Sequence, residues 1–261
     1  MNLDINGKNA LVAGSTQGIG LAIAKELALL GANCTLIARN EASLKQAVSS
    51  LDTTKGQVHD YLVADYSDYK QVAQAVQDYV ANKTMHILIN NSGGPAAGPI
   101  VDATAEAFLN TFQQHLICNQ LVTQALIPGM KAAAYGRIVN VISTSVKIPL
   151  KNLGVSNTVR GAVASWAKTM SNELAPFGIT VNNVLPGATE TARLGSIIDN
   201  KVSKTGMDKD EAVNEMISEI PMKRFGKPEE IASLAAYLCA PSAAYITGVS
   251  IPVDGGRTGS L

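Results

Sequence analysis

A single domain built on a doubly wound, mostly parallel β-sheet with helices on both faces is the α/β fold class this sequence predicts. Three observations predict it. Short apolar runs alternate along the whole chain with longer segments whose apolar residues recur at helical spacing. The short runs are apolar almost throughout, as strands covered on both faces are. Of the 261 residues, 46% are hydrophobic and only 16% charged, enough apolar matter for one large core.

Taken in order, residues 10–14 read as a buried strand and 18–30 as the helix that follows. Residues 34–38 form a second strand and 41–51 a second helix. Strands over 58–64 and 87–90 flank a helix over about 70–81. One long helix is expected within 105–134, then a strand over 137–142 and a helix over 158–174. A strand over 179–185, a helix over 228–238 and a last strand over 249–253 complete the alternation. The polar, charged stretch 188–225 breaks the rhythm. It follows a strand's carboxyl end, where a ligand-covering lid would lie, with an ordinary surface excursion as the alternative, and 209–220 within it has helical spacing. Met207, Met216 and Met222 lie in or beside it, as pocket lining or as flexible filler.

Composition narrows the function classes. Lys plus Arg and Asp plus Glu are 21 each, so there is no basic excess for nucleic acid and no basic run for a membrane surface. No apolar stretch is long enough to span a bilayer. Cys34, Cys118 and Cys239 are widely spaced and odd in number, and the start lacks the pattern of a secretory leader. The expectation is a cytoplasmic protein with a small-molecule substrate. His59 and His86 have no partner at metal-ligand spacing, so no metal is expected.

Between the first strand and the first helix stands Gly14-Ser15-Thr16-Gln17-Gly18-Ile19-Gly20. Glycines there let the backbone turn tightly and approach a pyrophosphate, whose charge the helix amino end favours. The spacing is GxxxGxG, not the GxGxxG of the common dinucleotide fingerprint. At the end of the second strand an acidic residue would bind a ribose 2′-hydroxyl. Arg39-Asn40 stands there instead, and a guanidinium suits a 2′-phosphate. Ser15 could add a hydroxyl, so NADP(H) is preferred over NAD(H), although the neutral Gln17 adds no charge.

Further motifs follow in order: Asp65 after the third strand, Asn90-Asn91-Ser92-Gly93 after the fourth, Pro186-Gly187 after the sixth, and Val253-Asp254-Gly255-Gly256. With the glycine loop they make the chain resemble the short-chain dehydrogenase/reductase family over nearly its whole length. The resemblance implies one Rossmann-type domain over residues 1–261, a nicotinamide dinucleotide and a homotetramer or homodimer. It implies that Gly14, Gly18, Ile19 and Gly20 wrap the pyrophosphate and that Asp65 accepts from the adenine amino group. Asn91 and Gly93 would line the adenosine ribose and the path to the nicotinamide, with Pro186, Gly187 and Thr191 at the nicotinamide end. Asn90 reads as a turn-shaping residue.

The chain leaves the family's pattern at the chemistry. The family uses Asn, Ser, Tyr and Lys, the last two four residues apart on one helix face. Ser143 matches the serine, but Ser156 holds the tyrosine position, Arg160 the lysine position and His115 the asparagine position. Tyrosine titrates near 10 and can be tuned downward; a serine hydroxyl is a far weaker acid. Arg160 can orient the ribose and stabilise an oxyanion but gives up no proton at neutral pH. His115, which ordinarily titrates near 6.5, could relay one or could simply be a packed interior histidine. Four readings follow. They are carbonyl or alcohol redox through Ser143, Ser156, Arg160 and His115; reduction of a conjugated enone through an enolate; a nucleotide-binding sensor without turnover; and non-redox chemistry, for which no motif speaks.

Overall fold

Seven strands and nine α-helices organise residues 1–260, which the computed structural model describes; residue 261, the last of the expected domain, lies outside them. The strands are β1 (Asn9–Ala13), β2 (Asn33–Ala38), β3 (Asp60–Val63), β4 (Ile87–Asn90), β5 (Gly136–Val141), β6 (Ile179–Pro186) and β7 (Ser250–Val253). All neighbours pair in parallel, in the order β3-β2-β1-β4-β5-β6-β7. The order reverses between β1 and β4, the topological switch point at which such sheets hold ligands.

Alternate side chains of the strands divide between two cores. Ala10, Val12, Leu36, Ile87 and Val139 pack on α1 (Gly18–Leu29), α2 (Glu41–Ser49) and α9 (Pro228–Cys239). Leu11, Ile37, Leu88, Ile138 and Val181 pack on α3 (Tyr69–Val80), α5 (Cys118–Ala132) and α6 (Gly154–Leu174). The near-continuous apolar runs are thus strands buried on both faces.

Besides shifts of a residue or two at other element ends, four differences from the expectation stand out. The strand over 58–64 shortens to Asp60–Val63, because the His59 ring nitrogen Nδ1 takes the Cys34 amide at 3.1 Å in place of a ladder carbonyl. The helix expected from 158 begins at Gly154, because Asn157 reaches back to the Leu150 carbonyl at 2.8 Å instead of capping a later start. The long helix expected within 105–134 is α4 (Ala105–Phe112) and α5 separated by a π-helical turn, Gln113–Ile117. The stretch 188–225 contains α8 (Lys209–Ser218), where helical spacing was seen, and also α7 (Ala192–Thr205), which its polar sequence concealed. Thr191 starts α7 by accepting the Leu194 amide at 3.3 Å.

The 188–225 segment has its own small core of Leu194, Ile198, Ile220 and Phe225. Its two ends meet in a Thr189–Gly226 bridge, so it leaves and rejoins the domain at one point.

Across the sheet's carboxyl end runs a ladder of amides. Asn90 donates to Asn140 at 2.9 Å, Asn140 to Asn183 at 2.9 Å and Asn183 to Ser250 Oγ at 3.0 Å. These residues are in register on β4, β5, β6 and β7. Asn90 was expected to shape a turn; it is instead the last residue of β4 and one rung of this ladder.

Candidate active site

The glycine loop is a cradle that admits no side chain. Gly14 has φ +58°, and a Cβ there would lie 2.6 Å from the Asn91 carbonyl oxygen. A Cβ on Gly20 would collide with the Gly14 carbonyl and stand 2.7 Å from Asn91 Nδ2. Asn91 binds the loop from β4, donating to the Ala13 and Gly14 carbonyls at 3.3 and 3.1 Å. Gln17 begins α1 without any side-chain cap, and the first turn carries no acid. The leading amides of α1 are therefore free to receive an anion. Gly18 faces the start of α7, where Thr191 Cγ2 would touch a Cβ at 3.3 Å. Ile19 packs against the first core and roots the helix.

Two expected cofactor residues have features the loop sequence did not suggest. Ser15 is fully buried with its hydroxyl unpartnered, whereas Thr16 is half-exposed and Gln17 exposed. The Asn40 side-chain oxygen caps α2, accepting the Ser43 amide at 2.8 Å, while its amide group makes no hydrogen bond among the described residues. Arg39 remains exposed at the end of β2 and makes no ion pair among the described residues. Asp65 lies near enough to feel it. The Ser67 backbone amide first, and the charge of Arg39 among the lesser causes, hold the Asp65 carboxyl below its usual range. Gly93 is exposed, with nothing where a Cβ would go. Gly187 is pressed against Asp254, whose Cβ would be 2.7 Å from an added one. Asp254 in turn accepts the Gly256 and Thr258 amides, closing the turn beyond Pro186 and β7.

The four candidate catalytic residues come from three elements that meet over β4 and β5. Ser143 follows β5 in extended backbone, and its Oγ accepts the Ser145 amide at 3.1 Å. Ser156 and Arg160 lie one turn apart on α6. Ser156 is half-buried; Arg160 is 8% exposed and donates through Nη1 to the Val141 carbonyl at 2.8 Å. Burial, and then the charge of Arg193, pushes Arg160 down to about 10. It remains a cation at neutral pH.

His115 sits in the π-helical turn, whose extra residue per turn shifts it toward the sheet end. Its Nδ1 lies 2.7 Å from Ser92 Oγ, and its Nε2 is buried without a partner. Burial first, then the Arg160 cation, pushes His115 down to about 3, opposed by the Gly93 backbone. The ring is therefore neutral at physiological pH. It can accept or pass a proton but does not stand ready as an imidazolium.

Ser92 and Arg193 escaped the sequence reading. Ser92 follows Asn91 directly, and only the fold brings it to His115. Arg193 occupies the first turn of α7 and donates to the Pro95 carbonyl. A cation at a helix amino end opposes the helix dipole, and that is a signal the sequence carried once the helix was known.

A seven-stranded parallel sheet with a glycine cradle at its switch point defines a dinucleotide-binding α/β protein. A family model described as enoyl-(acyl carrier protein) reductase matches residues 13–258. A chloroplastic tropinone reductase homologue of Arabidopsis thaliana is 33% identical over 258 residues, 97% of this chain and 76% of that protein. The NADPH-dependent reductase BacG of Bacillus subtilis (strain 168) is 32% identical over 256 residues, 97% of this chain and 99% of its own. L-sorbose reductase of Gluconobacter frateurii, solved with NADPH and L-sorbose, superposes with a TM-score of 0.93 at 30% identity, covering 100% of both chains. The chain belongs to the short-chain dehydrogenase/reductase family of oxidoreductases.

Among the described residues, no group of three His, Cys, Asp or Glu could hold a metal ion, and no helix is long and apolar enough to cross a membrane.

Proposed function

We propose that the chain is an NADP(H)-dependent oxidoreductase that reduces a small conjugated enone or carbonyl compound, with Ser143 kept from the family's usual groups and Ser156, Arg160 and His115 in place of the other three. The residues fit the nucleotide: the cradle of Gly14, Gly18 and Gly20 leads into an uncapped helix start, with Arg39 beside Asp65 at the adenosine end. When bound, NADPH supplies the hydride. NADPH-linked relatives support the preference over NADH, as does the absence of an acid at the end of β2.

One observation carries the choice of chemistry. Arg160 is a buried cation beside a neutral histidine, and no strong acid stands near it. Such a site stabilises negative charge better than it delivers a proton to oxygen. Conjugate reduction asks for that. As hydride reaches the distant carbon, the electron pair moves to the substrate oxygen and an enolate forms. Arg160 and the Ser143 hydroxyl hold that oxygen, Ser156 borders it, and a solvent proton completes the carbon centre. Direct carbonyl reduction is the second reading, favoured by the Ser92–His115 contact, which could pass a proton inward through the imidazole.

The segment 188–225 acts as the lid over the substrate, on the strength of its own core and single stem. A homo-oligomer is expected, because β7 is an open sheet edge and Leu109, Phe112 and Ile117 leave apolar surface on one side of the α4–π turn. The three cysteines are buried and unpaired, which fits a reducing cytoplasm.

Calorimetric titration with NADPH and NADH tests the cofactor, with NADPH binding at least about tenfold tighter. NADPH consumption over matched enones and ketones tests the chemistry. Faster turnover of the enones supports conjugate reduction; turnover of ketones alone overturns it. If neither nucleotide binds, the chain is a binding module on this fold.

A further inference from the structure

The 188–225 segment is tied to the domain at more than its stem. Past β7 the chain turns and lies along the segment's returning limb, residues 219–226. The Gly255 carbonyl accepts the Met222 amide at 3.1 Å, and Arg257 pairs with Glu219. The turn runs through Gly255 (φ +64°) and Gly256 (φ +85°), a backbone that glycine takes most readily. A Cβ on Gly255 would lie 2.8 Å from Ile220 Cγ2, and one on Gly256 3.3 Å from Pro221 Cγ. Ile220 is buried there between the exposed Glu219 and Pro221.

The two helices of the segment are held differently. They are joined to each other, Lys201 to Glu215 at 2.7 Å and Lys209 to Asp199 at 2.8 Å. Beyond the first turn of α7, where Arg193 donates to the Pro95 carbonyl, neither helix makes a hydrogen bond to the rest of the domain among the described residues. α7 meets the returning limb across an apolar seam, Leu194 and Ile198 against Ile220 and Phe225. Hydrogen bonds are directional and fix a part in place. An apolar seam is non-directional, and packed elements can slide along it.

Resting on the oxidoreductase reading and its lid, we infer that residues 254–258 are a strap that holds the returning limb as a fixed seat. The α7–α8 hairpin alone then moves over a bound substrate, and Arg257 is a positioning residue for that motion. The root of the strap is pressed against the turn read as the nicotinamide end, since Asp254 packs on Gly187. A seat built on that turn keeps one wall of the cleft at a set height while the hairpin swings.

Hydrogen exchange of the full chain, read residue by residue, tests the strap, with the amides of β4 and β5 as internal reference. In the nucleotide-free protein, Arg257→Glu sets two carboxylates against each other. It should speed exchange of the Met222 amide by about fivefold and leave the reference within about twofold. Adding Glu219→Arg should bring the Met222 rate back to within about twofold of the unaltered protein, a recovery that a general loss of stability would not show. An unchanged Met222 rate in Arg257→Glu, or an equal acceleration in β4 and β5, overturns the strap. Loading the unaltered protein with NADPH should slow the amides of α7 and α8 by at least about threefold more than that of Met222. A smaller difference means that the segment moves as one piece, and overturns the fixed seat. Failure of NADPH to bind counts against the oxidoreductase reading instead, and the nucleotide-free comparison still decides the strap.

Discussion

The two halves of the sheet end do their work with different material. On the β1–β2–β4 side, the site is made mostly of backbone: a glycine cradle, an uncapped helix start and carbonyls gripped by Asn91. On the β5–β6 side, it is made of side chains, and two of these are buried polar groups with open valences, Arg160 and His115. Backbone geometry tolerates almost no change at its close contacts. Side chains can be exchanged while the fold stands, and under the function proposed above three of the family's four have been. The chain would then have kept the cofactor half and rebuilt the chemical half.

Breaking the backbone half should cost most. Gly20→Ala forces a methyl group into the Gly14 carbonyl. We expect NADPH binding to be lost and the fold to weaken by about 2–4 kcal/mol, read by calorimetry and urea unfolding. An unaltered affinity would show that the cradle is not the pyrophosphate site. In the side-chain half, Ser143→Ala should lower turnover by about 10²-fold or more with NADPH affinity unchanged, the usual cost of one oxyanion donor. Full activity would remove Ser143 from the chemistry.

Arg39→Ala sharpens the contrast within the cofactor half, where it is the one charged side chain at the expected 2′-phosphate. It should weaken NADPH by about ten- to a hundredfold and leave NADH nearly unchanged, because a charge-assisted hydrogen bond contributes about 1.5–3 kcal/mol. Equal losses for both nucleotides would place Arg39 elsewhere on the adenosine.

The smallest effect concerns His115. The unfolded chain takes up this proton near 6.5, whereas the native chain resists until about 3. Between those values the unfolded state binds more protons, so stability falls as the pH drops through that window and is full above it. His115→Asn should flatten the decline in urea midpoint between pH 7 and pH 5. An identical decline in both proteins would exclude His115 as its source. The same burial means that turnover between pH 5 and pH 8 should show no inflection belonging to His115.

Much of this was legible in the sequence, for identifiable reasons. The apolar runs on β1, β2, β5 and β6 gave away the strands because both of their faces are covered. The glycine loop was legible because only glycine satisfies its contacts. The burial of Ser15 was not legible, because a loop's sequence does not say which side chains turn inward. The capping role of Asn40 is one that its position before Glu41 allowed. Helix α7 was hidden by polarity, since only Leu194 and Ile198 of it are buried. The meeting of Ser92 with His115 joins residues distant in sequence, and no local pattern encodes it.

The amide ladder from Asn90 to Ser250 has one further consequence. Parallel strands can slide past one another by two residues and still present the same faces to the same helices. Four side chains joined end to end at one height remove that freedom, because a slip of β5 or β6 would break two of the three bonds at once and a slip of β4 or β7 would break one. The ladder works as a levelling line. Asn91, Ser143, Pro186-Gly187 and Asp254 leave their strands just above it, so the residues around the cleft share a common datum. An insertion below the line can be absorbed at the far end of the sheet, whereas one above it would tilt the site.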